Sequence, residues 1–390
     1  MLFLAVTLLG LFSIYPASSD RSDIGLTPDK MIENHGYACE THYITTEDGY
    51  ILAYHRIPRG INDDENTKKP AVLLMHGLTS SSAEFVSMGP DRGFAYILAD
   101  EGYDVWLANA RGNGFSRNHT TLDPDVDADK FYDFTWHEIG YYDIASAIDY
   151  ILDVNGDSSL YYIGHSQGAT VFLVLASTRP DYNDKIRLAS LMAPAAILKH
   201  FPNILVQDVS KYVDKIERIL NNWKIYEIPY VKEIRDMISI HCADPSTDSF
   251  CDTLYQLLHN AKIEDEFLPV IHSNDPSNSG MKQLVHYGQE VRDGGFNLFN
   301  YGKEKNFEIY GTETPPPYDL SKISSSIAFY YGKNDGLITI EDEQTLASMV
   351  PNVVNNYLVP DDTFTHGDFA FAKDVVELVY NELMRVMKEF

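Results

Sequence analysis

The sequence GHSQG at residues 164–168 directly follows the apolar run LYYI at residues 160–163. The glycines two positions before and after Ser166 let a strand and a helix approach closely, so that the serine lies on a tight turn with its hydroxyl exposed. Residues 169–176 continue as a predicted buried helix. The pattern predicts a nucleophilic serine and hence a hydrolase. The alternative is a connecting loop that is merely rich in glycine and serine.

A nucleophilic serine needs a histidine base and a carboxylate, which in this arrangement follow it in the order Asp, then His. Asp335 comes just after an apolar run, and His366 follows the last predicted strand by a short loop. Asp361 and Asp362 compete for the carboxylate role, but they lie between that strand and the histidine. Asn-Asp-Gly is also an ordinary turn sequence, and a histidine at a helix start can be a surface residue. The sequence predicts Ser166, Asp335 and His366 as the catalytic side chains.

The same chemistry needs backbone donors for the oxyanion that forms during attack on an ester. The sequence HGLTSSS follows the predicted strand at residues 71–75. The N–H groups of Leu78 and Gln167 are predicted to converge near the serine hydroxyl. The alternative is a turn that merely joins strand to helix. His76 and His165 are interpreted as structural polar residues because their neighbours fix them in place.

Apolar runs alternate with helical patterns along the chain. Continuous apolar runs are typical of parallel strands that are covered on both faces. Residues 43–57 predict a β-hairpin around Glu-Asp-Gly, which adds an antiparallel edge. The predicted parallel strands are residues 71–75, 103–108, 160–163, 188–192, 327–331 and 356–359. We therefore expect an α/β fold, with a mostly parallel central sheet and helices on both faces.

The chain between about residues 197 and 320 has few strand signals and is far longer than an ordinary connection. We predict that it forms an inserted, mostly helical cap or lid domain. Val209, Val213, Ile216 and Leu220 have the spacing of one amphipathic helix. That helix would either pack on the main domain or cover the serine. The predicted parts are a core region at residues 20–196, the insertion at 197–320 and a second core region at 321–390.

The first residues predict entry into the secretory pathway. The apolar residues 2–15 are followed by small residues at Pro16–Ser19, which suit signal peptidase, so residues 1–19 are predicted to be removed. The segment is too short to span a bilayer. The net charge is −27, with 57 acidic and 30 basic residues. This charge disfavours nucleic-acid binding and weakens attraction to anionic membranes, so we expect contact with lipid to be apolar.

The chain has three cysteines and one glycosylation sequon. Cys242 and Cys251 lie in a polar, loop-like stretch, which permits a local disulfide in an oxidising compartment. Cys39 would be left over, and we predict that it is a buried, inert thiol. Asn118 begins the sequence Asn-His-Thr, so we predict that it is a glycosylation acceptor if the protein is secreted.

Taken together, these motifs resemble the acid lipase family of the α/β-hydrolase fold, which includes gastric and lysosomal acid lipases. The similar segments run almost from end to end of the chain. They are EDGYIL at 47–52, RIP at 56–58, HGL at 76–78, VWLANARGN at 105–113, SRNH at 116–119, FTWHE at 134–138, GHSQG at 164–168, HYGQ at 286–289 and PPYDL at 316–320. Cys242 and Cys251 lie where the family has a cap disulfide.

The resemblance implies hydrolysis of neutral-lipid esters, triacylglycerols or sterol esters, at a lipid–water interface. It implies an acyl-enzyme on Ser166, and neither a metal nor another cofactor. The chain departs from the family where Gly336 replaces a tryptophan, Gly367 replaces a leucine and Tyr132 stands where tryptophan is common. The lost apolar bulk predicts a wider or more mobile site. The alternatives are a phospholipase or short-chain carboxylesterase and, in another class, a non-catalytic lipid-binding protein, which the complete triad opposes.

Overall fold

The computed structural model describes residues 21–63, 67–228, 261, 263–264 and 267–390. The predicted signal segment lies outside the described residues. The predicted disulfide partners Cys242 and Cys251 lie outside them as well.

Ten strands lie in the described part of the chain. They are β1 (Glu40–Thr45), β2 (Ile51–Ile57), β3 (Ala71–Met75), β4 (Asp104–Leu107), β5 (Leu160–His165), β6 (Ile186–Met192), β7 (Glu227–Ile228), β8 (Ser279–Gly280), β9 (Ile327–Tyr331) and β10 (Val353–Leu358). All except the short antiparallel pair β7 and β8 belong to one central sheet.

The α-helices of the described residues lie between and after these strands. They are α1 (Pro28–Asn34), α2 (Phe94–Asp100), α3 (Ala128–Phe131), α4 (Trp136–Glu138), α5 (Ala145–Asn155), α6 (Gln167–Thr178), α7 (Ile204–Ser210), α8 (Val213–Asn222), α9 (Leu268–His272), α10 (Met281–Asp293), α11 (Lys303–Tyr310), α12 (Ile340–Met349), α13 (Asp368–Phe371) and α14 (Asn381–Met387). Short 3₁₀ segments include Ser82–Phe85, and a π-helical turn at Ile139–Ile144 leads into α5.

The central sheet has the strand order β1-β2-β4-β3-β5-β6-β9-β10. Strands β1 and β2 form the predicted antiparallel hairpin at one edge, and β2 pairs antiparallel with β4. All further neighbours pair in parallel. The prediction of a mostly parallel α/β fold is confirmed.

Both faces of the sheet are covered, as the continuous apolar runs predicted. Along β3, Leu73 packs into a cluster that contains Ile148 of α5 and Phe172 of α6. Its neighbours Val72 and Leu74 point into a second cluster, with residues of α1, α2 and α14. Because side chains of a strand alternate between faces, one apolar run supplies two cores. Removal of so much apolar surface from water provides most of the stabilisation of such a domain.

The described residues of the chain between β6 and β9 include α7, α8 and α10, whose side chains line one cavity together with Ser166 after β5. In its described part, Val213, Val285 and Phe299 form a small core of their own. The ring of His286 in α10 stacks on Trp136 in α4, with centroids 3.8 Å apart. Residues of the insertion therefore pack both on one another and on the main fold. None of the helices in the described ranges has the length and apolar character needed to cross a bilayer.

The prediction of a single amphipathic helix through residues 209–220 is wrong about the number of helices. The described structure has two helices, α7 and α8, which are interrupted at Lys211 and Tyr212. Helix α7 begins earlier than the apolar spacing indicated, at a cap where Asn203 accepts hydrogen bonds from the backbone N–H groups of Leu205 and Val206. The apolar spacing was preserved across the interruption, so the pattern alone could not reveal it.

Candidate active site

Ser166 lies between β5 and α6 on a sharp turn, with φ 53° and ψ −117°. Such a backbone conformation costs on the order of 1–3 kcal/mol, and surrounding structure must enforce it. A Cβ atom on Gly164 would lie 2.5 Å from the backbone of Gly168. A Cβ atom on Gly168 would overlap the carbonyl group of Met75. Both glycines of the GHSQG sequence are therefore required by close backbone approach.

The structure brings the three predicted catalytic side chains together. The Nε2 atom of His366 lies 2.8 Å from the Oγ atom of Ser166, and its Nδ1 atom lies 2.8 Å from Oδ2 of Asp335. The other carboxylate oxygen of Asp335 accepts hydrogen bonds from the backbone N–H groups of Leu337 and Ile338, at 2.8 and 3.0 Å. All three catalytic candidates are buried. The histidine can thus take a proton from the serine while the carboxylate fixes its ring.

The two competing carboxylates lie elsewhere. Asp361 accepts hydrogen bonds from the backbone N–H and the hydroxyl of Thr363, both at 2.8 Å. Asp362 is exposed and forms an ion pair with Lys333 at 2.9 Å. The carboxylate within hydrogen-bonding distance of the His366 ring is therefore the one that chain order favoured.

The predicted oxyanion loop passes directly over the serine. A Cβ atom on Gly77 would lie 3.8 Å from the Ser166 hydroxyl. Among the hydrogen bonds of the described residues, none uses the N–H of Leu78 or of Gln167. The next residue, Thr79, has a φ of 58°. Backbone donors without a protein partner beside a serine hydroxyl are suited to stabilise developing negative charge on a substrate oxygen.

The loop after β4 holds the oxyanion loop in place. The side-chain oxygen of Asn109 accepts a hydrogen bond from the N–H of Ser82 at 2.9 Å, and Nε2 of His76 accepts one from the N–H of Ala110 at 3.1 Å. Burial lowers the pKa of His76, which keeps that ring nitrogen free to accept. The sequence had indicated His76 only as a structural polar residue, and Asn109 only as part of a segment similar to the acid lipase family.

A buried carboxylate that sequence reasoning missed links three parts of the site. One oxygen of Glu84 lies 2.8 Å from Nδ1 of His165, and the other accepts from the N–H of Gly77 at 3.0 Å. The Nε2 atom of His165 lies 3.0 Å from the carbonyl oxygen of His366. Burial opposes charge on both side chains, yet their mutual attraction raises the pKa of His165 and lowers that of Glu84. The sequence offered no signal for Glu84 except an acidic residue between Ala83 and Phe85.

A cavity of about 490 Å³ opens over Ser166. This volume lies in the usual range for ligand pockets, about 300–1,000 Å³. The wall opposite the serine consists of apolar side chains of α7, α8 and α10. They include Val209, Val213, Ile216, Leu220, Val285 and Val291. The apolar face predicted from the sequence thus faces the cavity above the serine. Its residues also pack on α10, so the two alternatives, packing and lying over the serine, are not exclusive.

Several large apolar side chains on α7, on α8 and at the ends of these helices are exposed. Leu205 and Trp223 are 71% and 73% exposed. Ile204, Tyr212 and Ile219 are exposed as well. Val209 is partly exposed and also lines the cavity, so this surface adjoins the cavity mouth. Exposed large apolar side chains next to a cavity mouth are suited to contact with lipid or protein.

The three departures from the family pattern have different surroundings. Gly336 is half-buried and precedes Leu337, which lines the cavity. Gly367 is buried and caps α13. Tyr132 is buried farther from the serine, and its hydroxyl accepts a hydrogen bond from Arg117 at 2.9 Å. Only the first of them is adjacent in sequence to a residue of the cavity wall.

Two further predicted residues lie away from the site. Asn118 is exposed, which a glycosylation acceptor requires. Cys39 was predicted to be buried, but it is only half-buried on the chain leading into β1. Burial nevertheless raises its pKa to about 12, so the thiol is a poor nucleophile.

Comparison with known proteins places this geometry in a family. Residues 28–89 match the family described as a partial α/β-hydrolase lipase region, and residues 70–218 match the α/β-hydrolase fold. Lipase 1 of Drosophila melanogaster is 39% identical, over 94% of this chain and 81% of its own length. Gastric triacylglycerol lipase of Rattus norvegicus is 31% identical, over 97% of this chain and 95% of its own. The chain belongs to the α/β-hydrolase lipases.

This lipase hydrolyses carboxylic esters, as the resemblance predicted. Lipase 3 of Drosophila melanogaster is 34% identical over 99% of this chain and 98% of its own length. A solved esterase structure from Thermogutta terrifontis has 15% identity and a TM-score of 0.50, and covers 89% of this chain and 98% of that one. At that identity the structural likeness shows the fold alone.

Proposed function

We propose that this lipase is a secreted enzyme that cleaves neutral lipids, triacylglycerols or sterol esters, through an acyl-enzyme on Ser166. The observation that carries the proposal is the position of the Ser166–His366–Asp335 hydrogen-bond chain at the floor of an apolar cavity. A polar reaction centre below an apolar cavity suits an ester whose acyl part is a hydrocarbon chain. The triacylglycerol named for the gastric relatives supports the same substrate class.

In the proposed reaction, the Ser166 hydroxyl oxygen attacks the ester carbonyl while Nε2 of His366 takes the hydroxyl proton. The carbonyl oxygen becomes an oxyanion that accepts hydrogen bonds from the N–H groups of Leu78 and Gln167. Collapse of this intermediate breaks the bond to the alcohol oxygen, which receives the proton from His366. Water then attacks the acyl-enzyme by the same route and releases a fatty acid. Asp335 keeps the imidazole oriented throughout.

We further propose that residues 197–320 act as a cap whose outer side meets the lipid surface. The exposed side chains of Leu205 on α7 and Trp223 at the end of α8 support this, because other residues of these helices line the cavity and transfer of apolar area from water to lipid is favourable. The net charge of −27 makes an electrostatic contribution to binding at an anionic membrane unfavourable. An apolar neutral-lipid droplet is therefore the expected surface.

The decisive test compares the wild-type protein with Ser166→Ala on emulsified triacylglycerol, cholesteryl ester, phospholipid vesicles and a soluble short-chain ester. We expect turnover of the neutral lipids, and loss of turnover and of fluorophosphonate labelling in the variant, with unchanged thermal unfolding. Greater activity on phospholipid vesicles, or activity confined to the soluble ester, would favour the phospholipase or carboxylesterase alternative. Retained activity in Ser166→Ala would reject the assigned nucleophile.

The expectation of a wider site at Gly336 stays a prediction. Gly336→Trp should place an indole beside Leu337 at the cavity wall and shift the preferred acyl chain toward shorter esters. A panel of esters with graded acyl length measures this shift. An unchanged profile in the variant would reject the idea that the missing tryptophan widens the site.

A further inference from the structure

The hydrogen-bond partners of His165 demand more protons than a neutral imidazole carries. Its Nε2 atom faces the carbonyl oxygen of His366, which can only accept, so this nitrogen must carry a proton. Its Nδ1 atom faces a carboxylate oxygen of Glu84, and a second proton must lie on that line. The imidazole is the more basic group, with an ordinary pKa of about 6.5 against about 4.3 for a glutamate. The second proton therefore belongs to the ring, which makes it an imidazolium.

We propose that His165 is held as an imidazolium by Glu84 and serves as the positioning residue that locks the oxyanion loop, the nucleophile and the base to one another. This inference rests on the proposed function, because it concerns the alignment of the proposed catalytic groups. The link runs from the N–H of Gly77 through both oxygens of Glu84 to the ring, and from the ring to the carbonyl of His366. Its covalent neighbour along the chain is the nucleophile itself.

The geometry explains why such a link is useful. One end of the link is Gly77, which precedes the proposed oxyanion donor of Leu78. The other end is the carbonyl of His366, whose ring is the proposed base. The rings of His165 and His366 are 5.2 Å apart, close enough for a shift of one to displace the other. A misplacement of about 1 Å in a catalytic group can cost about a hundredfold in rate. A buried charge-assisted bond restrains such displacement better than a neutral one.

The surroundings favour this charged state. Besides Glu84 and the carbonyl of His366, the titratable groups that face the pair are the His366 imidazole, with ring centroids 5.2 Å apart, and Asp335, His76, Asp275 and Tyr380. Burial raises the pKa of Asp275 and of Tyr380 and lowers the pKa of His76, which favours the uncharged form of all three. The negative charges of Glu84 and Asp335 thus face the one imidazolium. Because the pKa of His165 is raised, the stability that the protonated ring contributes is fully present below the ordinary histidine pKa of about 6.5 and is lost as the pH rises through the raised pKa.

The direct test is ¹⁵N NMR of the imidazole nitrogens in the wild-type protein, with His165 assigned by its disappearance in His165→Gln. We expect both ring nitrogens of His165 to be protonated at pH 7.5, and a transition only at alkaline pH. His55 is a matched internal reference, because burial lowers its pKa to about 4 and it should be neutral in the same spectrum. An unprotonated ring nitrogen at His165 at pH 7.5 would overturn the proposal. This measurement needs no turnover, so it fails independently of the proposed function.

Variants test the positioning role. Glu84→Gln and His165→Gln should lower kcat on a soluble ester by about ten- to a hundredfold, with little change in KM. In Glu84→Gln the alkaline limb of the pH profile should also move to lower pH, since the imidazolium has lost its carboxylate. The matched controls are Glu40→Gln and His42→Gln, which break a similar 2.9 Å histidine–glutamate pair on β1. Wild-type kcat in the site variants, or an unmoved alkaline limb in Glu84→Gln, would reject the assignment.

Discussion

The floor and the opposite wall of the cavity over Ser166 are built in different ways. The floor consists of loops at the carboxyl ends of parallel strands, whose buried polar groups are joined by hydrogen bonds of 2.8 to 3.0 Å. The opposite wall, on α7, α8 and α10, is apolar and carries exposed side chains toward solvent. Proton transfer requires fixed distances, whereas a hydrocarbon chain requires only shape and dryness. Substitutions in the floor should therefore change the rate, and substitutions in the opposite wall should change the choice of substrate.

The largest effect is expected in the floor, for Asp335→Asn. An amide in place of the carboxylate offers a donor to Nδ1 of His366, which favours the wrong tautomer for accepting the serine proton. We expect kcat/KM on a soluble ester to fall about 10⁴-fold while the fold is retained.

The control for this variant is Asp362→Asn. Asp362 competes with Asp335 for the carboxylate role in the sequence, but it forms an exposed ion pair with Lys333. It should keep nearly wild-type activity, because exposed pairs contribute little. A loss of less than about tenfold in kcat/KM for Asp335→Asn would contradict its role in orienting His366. It would also remove the expected difference between the floor and the opposite wall.

The apolar wall should respond differently to Ile216→Trp. Ile216 lines the cavity from α8, and a larger ring there shortens the space for an acyl chain. We expect the ratio of long-chain to short-chain ester hydrolysis to fall about ten- to a hundredfold, while the rate on the shortest ester is unchanged. A uniform loss across all chain lengths would mean that this wall also aligns the reacting groups.

The same difference decides how much could be predicted from sequence. The floor is made of short motifs whose glycines and polar residues have one physical explanation each, so Ser166, Asp335 and His366 could be named from local pattern and chain order. Glu84 could not, because its role depends on a ring 81 positions away in the chain. Long-range partners of this kind are set by strand order, and single-sequence patterns do not specify strand order.

The helical wall was predicted only in outline. The spacing of Val209, Val213, Ile216 and Leu220 indicated an apolar face, and that face was found above the serine. The break at residues 211–212 was invisible because its apolar spacing continues across both helices. The half-exposed state of Cys39 was likewise set by tertiary packing rather than by its neighbours in sequence.

A smaller effect is expected on the outer side of the same wall, for Trp223→Ser. Trp223 is 73% exposed, and burying such a side chain in lipid is worth about 1.5–3 kcal/mol. Activity on a triacylglycerol emulsion should fall on the order of tenfold at low lipid concentration, while hydrolysis of a soluble ester stays the same. Tyr43→Ser on β1 is the matched control, since that ring is 69% exposed on the edge strand of the sheet. Equal losses in the two variants would argue against a defined lipid-binding surface.

The smallest effect should appear where the insertion is attached to the floor, at Ser277. Its backbone N–H donates to the carbonyl of Thr79 at 2.6 Å, and its hydroxyl oxygen accepts from the N–H of Gly114 at 3.0 Å. Ser277→Ala removes only the second bond, so we expect a loss of about 1 kcal/mol in the free energy of unfolding, measured with denaturant. The first bond, which fixes the residue after Leu78, is kept, and kcat should be nearly unchanged. A large fall in kcat without a fall in stability would show that the insertion controls the oxyanion loop through this side chain. The floor and the opposite wall would then act as one unit.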